Sequence, residues 1–172
     1  MFKKLILLGA TLFLTACAGQ AQHGTIATGS TGQEISIPEV KITLNSCTYA
    51  QSFPVKSGYE DPPTARYVLI DASFTSTSTD QSYNPVRYLI AEAVDTQGNR
   101  YSQVPINQIA GNPSVDTADN LQPGGHVSLR YAFKIPEDAE ITGLRISDQW
   151  FDFNSWAEIS TRCLGPQAAP AQ

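Results

Sequence analysis

Acid–base chemistry is the first possibility that the side chains raise, because carboxylates occur in close pairs along the chain. The pairs are Glu60 with Asp61, Asp116 with Asp119, and Asp148 with Asp152. Two carboxylates at working distance can act as general acid and base, or bind Ca²⁺. No pair falls in a calcium-loop pattern, and 16 acidic residues among 172 produce such neighbours by chance. We therefore expect none of the pairs to be a catalytic or metal site.

Nucleophilic catalysis would need a serine or cysteine beside a histidine base. The histidines are His23 and His126. His23 lies among small polar residues, and His126 follows two glycines, where a turn residue is the simpler interpretation. We expect a protein that is not an enzyme, with no catalytic residue, no metal and no cofactor.

Aromatic side chains are concentrated near the C-terminus. The segment 148–156 holds both tryptophans and two of the seven phenylalanines, namely Trp150, Phe151, Phe153 and Trp156. Exposed aromatics beside Asp and Asn can stack on a sugar ring or anchor a protein partner. The alternative, which we favour, is that they cap the open end of the core. These four residues are the candidate binding site.

The N-terminus has the layout of a secretory signal peptide: two lysines, the apolar run 5–13, and Leu14-Thr15-Ala16-Cys17. The apolar run is too short for a transmembrane helix, which needs roughly 20 apolar residues. The segment resembles a bacterial lipoprotein signal, residues 1–16. That resemblance implies cleavage before Cys17, acylation of Cys17, and attachment to the membrane through acyl chains. Ala18 in the next position implies the outer membrane, with the protein facing the periplasm.

Charge and cysteine content narrow the function further. Loss of Lys3 and Lys4 with the signal leaves 11 − 2 = 9 basic residues against 16 acidic ones, a net charge of −7. This charge argues against nucleic acid as a partner and against electrostatic adhesion to anionic lipid. Cys47 and Cys163 remain, and in an exported protein they predict one disulfide, with two free thiols as the alternative. The bridge would join the first strand to the last.

The rest of the chain predicts an all-β domain. Residues 17–34 are small and polar and predict a flexible tether. Residues 165–172 predict a disordered tail. Between them, residues 35–164 contain short alternating segments with turn signals, typical of an antiparallel β-sandwich of seven or eight strands. The clearest strands are 40–47, 66–77, 86–94, 100–104, 127–135, 141–147 and 157–163.

Three separated segments carry a family resemblance. They are residues 67–78 (YVLIDASFTSTS), 94–101 (VDTQGNRY), and the run from Leu121-Gln122-Pro123-Gly124 to Phe133-Lys134-Ile135-Pro136. In this order they resemble the immunoglobulin-like DUF4352 domains of bacterial lipoproteins. The resemblance implies an extracytoplasmic immunoglobulin-like module without an established catalytic site. We therefore expect a non-catalytic binding module of the cell envelope, with an envelope protein or glycan as ligand. The alternative is a structural accessory subunit of an envelope complex.

Overall fold

The computed structural model describes residues 24–53, 55, 66–79, 83–112, 121–148 and 155–165. The signal peptide, Cys17 and the tail from residue 166 lie outside these residues. So do His23, Trp150, Phe151, Phe153, Asp152 and the carboxylate pairs at 60–61 and 116–119. In the described part of the chain, no helix is long and apolar enough to cross a membrane.

Nine strands occur in the described residues, and they form two sheets packed as a sandwich. The five-stranded sheet has the order β1-β9-β8-β5-β6, and the four-stranded sheet has the order β2-β3-β4-β7. The elements are β1 Gly24–Ser30, β2 Glu34–Ile37, β3 Val40–Ala50, β4 Arg66–Ser76, α1 Pro85–Tyr88, β5 Leu89–Asp95, β6 Arg100–Ser102, a 3₁₀ turn Ile106–Gln108, β7 His126–Ile135, β8 Ile141–Asp148 and β9 Ser155–Ser160.

The predicted β-sandwich is confirmed, and period-two alternation explains its core. β4 turns Val68, Ile70, Ala72 and Phe74 inward, and all four are fully buried. The inward face of β7 meets them, with the rings of Phe74 and Tyr131 edge to face at 6.1 Å. These two strands pair antiparallel from end to end, with β4 in the interior of the four-stranded sheet and β7 at its edge.

The prediction of a flexible tether over 17–34 is wrong for its second half. Residues 24–30 form β1, which pairs parallel with β9, so the sandwich is not purely antiparallel. β1 is mostly exposed and is ordered by backbone hydrogen bonds to β9, a cause that composition does not reveal. β2 follows after a short turn and contributes the buried Ile35 and Ile37. These two strands raise the count above the expected seven or eight.

The strand predicted over 86–94 begins later than expected. Its first residues form the short helix α1, because Pro85 occupies the first helical position and Asn84 caps the turn. The Asn84 side chain accepts a hydrogen bond from the Arg87 backbone N–H at 3.1 Å. The hairpin that follows β5 is as predicted, with Gly98 at a φ of 81°. The last strand is also shifted and spans 155–160 rather than 157–163.

The predicted disulfide between Cys47 and Cys163 is present. Cys47 lies in β3 of the four-stranded sheet, and Cys163 follows β9 of the five-stranded sheet. The bond therefore joins the two sheets to each other. The sequence predicted that the bond would start from the first strand. It starts instead from the third strand, because β1 and β2 precede β3.

Candidate functional site

The outer face of the four-stranded sheet has two different halves. One half is covered by a second, smaller apolar cluster, and the other is open and polar. The cluster consists of Phe53, Tyr67, Val104, Ile109 and Ala132. Residues 103–112 form its cover, and the Val104 backbone N–H donates to the Ala132 carbonyl of β7 at 2.7 Å. Asn112, the last described residue of this segment, lies beside the open half.

The open half is built from outward-facing residues of three strands. Antiparallel register places Asp71 opposite Arg130, Ser73 opposite Ser128, and Thr75 opposite His126. Their neighbours along the strands, such as Ala72, are buried, so these residues face solvent. We call this surface the polar face; its members are Asn45, Ser46, Asp71, Ser73, Thr75, His126, Ser128 and Arg130.

A bidentate ion pair lies at the centre of the polar face. Arg130 donates from Nε to Asp71 Oδ1 at 2.7 Å and from Nη2 to Asp71 Oδ2 at 2.9 Å. Ser46 donates to the same Oδ2 at 3.0 Å. Partial burial raises the pKa of Asp71, but the hydrogen bonds from Arg130 and Ser46 and the guanidinium charge outweigh it, so the pKa is lowered overall. Asp71 is therefore ionised at neutral pH.

Side-chain hydrogen bonds continue from the ion pair along the sheet. A β-bulge in β3 between Leu44 and Ser46 leaves Asn45 exposed. Its Nδ2 donates to Ser73 Oγ at 2.8 Å, and the Ser73 and Ser128 hydroxyls lie 3.2 Å apart. These hydrogen bonds hold the donors and acceptors of the polar face in fixed positions.

A cavity of about 300 Å³ lies where the covered and open halves meet. It is lined by Asp71, residues 110–112 and residues 128–130. The Asn112 side chain donates to the Arg130 carbonyl at 2.7 Å and accepts from the Arg130 backbone N–H at 2.8 Å. Asn112 thus occupies the position of a neighbouring strand and fixes one wall of the cavity to β7. Gly111, at a φ of 88°, makes the bend that brings Asn112 there.

Sequence reasoning missed Asp71, Asn112 and Arg130. The available signal was a charged residue at an outward position in each of two strongly apolar strands. The register that brings Asp71 and Arg130 together is a property of the folded sheet.

Of the four aromatic residues predicted as a binding site, Trp156 lies in the described part of the chain. It is partly buried on the outer face of the five-stranded sheet, because Ala157 turns inward. Its indole N–H donates to Glu158 at 2.8 Å, and the Arg145 guanidinium carbon lies 3.2 Å from the ring centroid. Burial and the like charge of Arg100 lower the pKa of Arg145, partly opposed by Glu92 and Glu158. A binding role for Trp156 stays a prediction.

His126 and Asp148, which the sequence also raised as candidates, lie in the described part of the chain. His126 is exposed at the start of β7, as expected of a turn-flanking residue. Asp148 is buried and accepts a hydrogen bond from the Tyr83 hydroxyl at 2.7 Å. Burial, followed by the charge of Asp148, raises the pKa of Tyr83. Among the residues that the structure describes, no group of three or more His, Cys, Asp or Glu is placed to hold a metal ion.

Asp95 organises the hairpin between β5 and β6. Its Oδ1 accepts from the backbone N–H groups of Gln97 and Asn99, and its Oδ2 accepts from the Asn99 amide and the Tyr101 hydroxyl. Burial raises the pKa of Asp95, but the hydrogen bonds from Asn99, Tyr101 and Gln97 prevail and lower it to about 2. The residue stabilises a turn and stays ionised.

Comparison with known proteins gives the fold. No family model matches the chain, and no curated protein matches it. An uncharacterised β-sandwich protein from Clostridium difficile aligns with a TM-score of 0.54 at 19% identity, covering 78% of this chain and 93% of that one. The secreted Mycobacterium tuberculosis protein MPT63 aligns with a TM-score of 0.50 at 12% identity, covering 78% and 95%. A conserved hypothetical protein from Bacillus anthracis aligns with a TM-score of 0.50 at 11% identity, covering 72% and 91%. The chain is similar to these proteins in its β-sandwich fold, whereas the resemblance to DUF4352 domains is not confirmed.

Proposed function

We propose that the protein is a lipid-anchored, non-catalytic binding module of the bacterial cell envelope. It is anchored through acyl chains on Cys17, at the outer membrane and facing the periplasm. The observation that carries the binding role is the polar face with its adjoining cavity, where Arg130, Asn112 and Ser128 are fixed by hydrogen bonds. A surface whose polar groups are already ordered loses less entropy when a ligand binds.

The carboxylates of Asp71 and Asp95 favour a binding role over catalysis. A general acid needs a pKa raised towards neutrality. Asp71 and Asp95 are shifted in the opposite direction, and each spends its oxygens on several hydrogen bonds within the fold. Their chemistry is that of ionised structural acceptors.

The ligand is a polar component of the envelope, a glycan or a protein. The polar face presents hydroxyl and amide groups together with the ion pair, which suits hydrogen-bonded recognition. The net charge of −7 in the mature chain makes nucleic acid an unfavourable partner. The second candidate function is that of a structural accessory subunit of an envelope complex. This function requires a lasting contact with another protein over a broad surface.

Photo-crosslinking in the protein's own membranes tests the binding role. A photoreactive amino acid replaces Ser128 on the polar face or, as a matched control, the exposed Ser102 on β6. We expect a crosslinked product from position 128 and none from position 102. Equal products at both positions would favour the accessory subunit, and no product at position 128 would remove the binding role from the polar face.

Membrane fractionation tests the anchor separately. Cys17→Ser should release the protein from the membrane fraction or leave it unprocessed, because the acyl chains have no other attachment site in this proposal. A Cys17→Ser protein that stays membrane-bound at normal size would contradict the lipid anchor.

A further inference from the structure

The end of the five-stranded sheet at which β1 begins has an unusual surface. Gly24 pairs with Ser155, and one row of the sheet runs from Thr25 through Trp156 and Ser147 to Ile90. The four strands β1, β9, β8 and β5 therefore share this end. We call it the entry end, because the chain enters the described domain here.

Exposed apolar side chains lie at the entry end. Ile26 is the extra residue where the β1–β9 register shifts, and it is 41% exposed. Ile90 faces outward between two buried neighbours and is 38% exposed. Among the described residues, the only other exposed large apolar side chain is Leu164, at the opposite end beside the disulfide. Two of three such side chains thus lie at one end of one sheet.

Arginines and an aromatic ring accompany these isoleucines. Arg145 lies over the Trp156 ring, and Arg87 is exposed in α1, directly before β5. Aromatic rings with polar tips, and arginines whose apolar stems lie along apolar surface, are enriched where proteins meet the lipid headgroups. Three acidic side chains of these strands are already engaged: Glu158 accepts from the indole N–H, Glu92 pairs with Arg100 at 3.4 Å, and the buried Asp148 accepts from the Tyr83 hydroxyl.

The chain leading to this end is short. Gly24 is the seventh residue after Cys17, so the two are separated by at most roughly 25 Å whatever the conformation between them. The longest strands of the domain have 11 residues, about 36 Å. A lipid on Cys17 therefore holds the entry end, rather than the disulfide end, within reach of the headgroups.

We propose that the entry end is a lipid-docking surface: Ile26, Ile90 and Trp156, with Arg87 and Arg145 beside them, rest on the headgroup region of the bilayer. The docking rests on the proposed Cys17 anchor and adds an orientation to it. The anchor alone would allow the domain to tumble at the end of its chain, whereas docking fixes the five-stranded sheet against the lipid.

Fluorescence quenching of the acylated full chain in phospholipid vesicles tests this docking. Trp150→Phe leaves Trp156 as the single tryptophan. The vesicles consist of phosphatidylethanolamine and phosphatidylglycerol, and a nitroxide on the lipid headgroup should quench Trp156. Acrylamide dissolved in the water should quench Trp156 less in this anchored protein than in the unanchored Cys17→Ser protein, measured without detergent.

Substitutions then separate docking from proximity. Ile26→Asp or Ile90→Asp should lower the ratio of docked to undocked protein by about tenfold or more, because each removes a side chain that the lipid takes out of water. Leu164→Asp is the matched control and should leave the quenching unchanged. Ile90→Thr, which keeps the β-branched shape suited to a strand, should give a smaller loss in the same direction and guards against misfolding of the Asp variant.

Vesicle flotation, measured on the same samples, distinguishes the two proposals. Protein that floats while Trp156 is quenched no more than in the Asp variants would overturn docking and leave the anchor in place. Wild-type protein that does not float would overturn both. Quenching in native membranes but not in pure phospholipid would make the partner a protein and would overturn the lipid assignment.

Discussion

Breaking the Cys47–Cys163 bond should remove a large part of the domain's stability. The bond joins residues 116 positions apart in sequence and connects β3 of one sheet to the end of β9 in the other. In the chain-entropy model, a loop of this length is worth about 5 kcal/mol. Typical domains have a free energy of unfolding of only about 5–15 kcal/mol in total, so the reduced domain should be marginal.

Urea unfolding provides the measurement. The Cys17→Ser chain, whose remaining cysteines are Cys47 and Cys163, is unfolded in oxidised and in reduced form. With a urea dependence of roughly 2 kcal/mol per molar, a loss of about 5 kcal/mol should lower the midpoint by about 2.5 M on reduction. The urea midpoint of the double variant Cys47→Ala, Cys163→Ala should be slightly lower still, because Cys47 is buried and its sulfur fills space that alanine leaves empty.

Two results would refute the reasoning. A midpoint that moves by less than about 0.5 M on reduction would mean that the unfolded chain gains little freedom from losing the bond. An alanine variant much less stable than the reduced wild type would mean that packing of the sulfur atoms, and not the crosslink, supplies the stability.

Three further changes probe other parts of the fold. Phe74→Ala should cost about 3–5 kcal/mol in urea unfolding, because the ring is fully buried against Tyr131. A double-mutant cycle of Asp71→Asn and Arg130→Gln should give a coupling energy of about 0.5–1 kcal/mol. The energy is modest because both side chains are more than a third exposed, and a coupling energy of zero would contradict the bidentate pair. Asp95→Asn should destabilise the domain at pH 7 but less at pH 2.5. The pKa of Asp95 in the folded domain, about 2, lies below the usual 3.8, so the stability from ionised Asp95 is full above about pH 4 and is lost as the pH falls towards 2. A loss of stability that does not depend on pH would contradict this.

The parts of the fold that were predictable from sequence depend on local signals. Strict alternation over 68–74 identifies the buried face of β4, because a strand turns successive side chains to opposite sides. Gly98 identifies the hairpin after β5, because its positive φ is costly for other residues. The disulfide follows from two cysteines in an exported chain, although its connection of the two sheets required the structure.

The parts that could not be predicted depend on partners distant in the chain. β1 has almost no buried side chain, and its order comes from parallel pairing with β9, more than a hundred residues later. The Asp71–Arg130 pair depends on the register between β4 and β7, which a shift of one residue would destroy. Asn112 sits in an irregular connection, and nothing local indicates that its side chain binds the edge of β7.

The two proposed surfaces lie on different sheets, and this separation allows both to be used at once. The polar face belongs to β3, β4 and β7, whereas the entry end belongs to β1, β5, β8 and β9. In the proposed orientation, with the five-stranded sheet resting on lipid at its entry end, the outer face of the four-stranded sheet faces away from the bilayer. A ligand on the polar face and the lipid at the entry end would then contact different sheets, and the Cys47–Cys163 bond joins those sheets covalently. Reduction should lower the yield of crosslinking from position 128, because only the folded domain presents the polar face and the reduced domain is marginally stable. Comparing oxidised with reduced membranes would measure this loss.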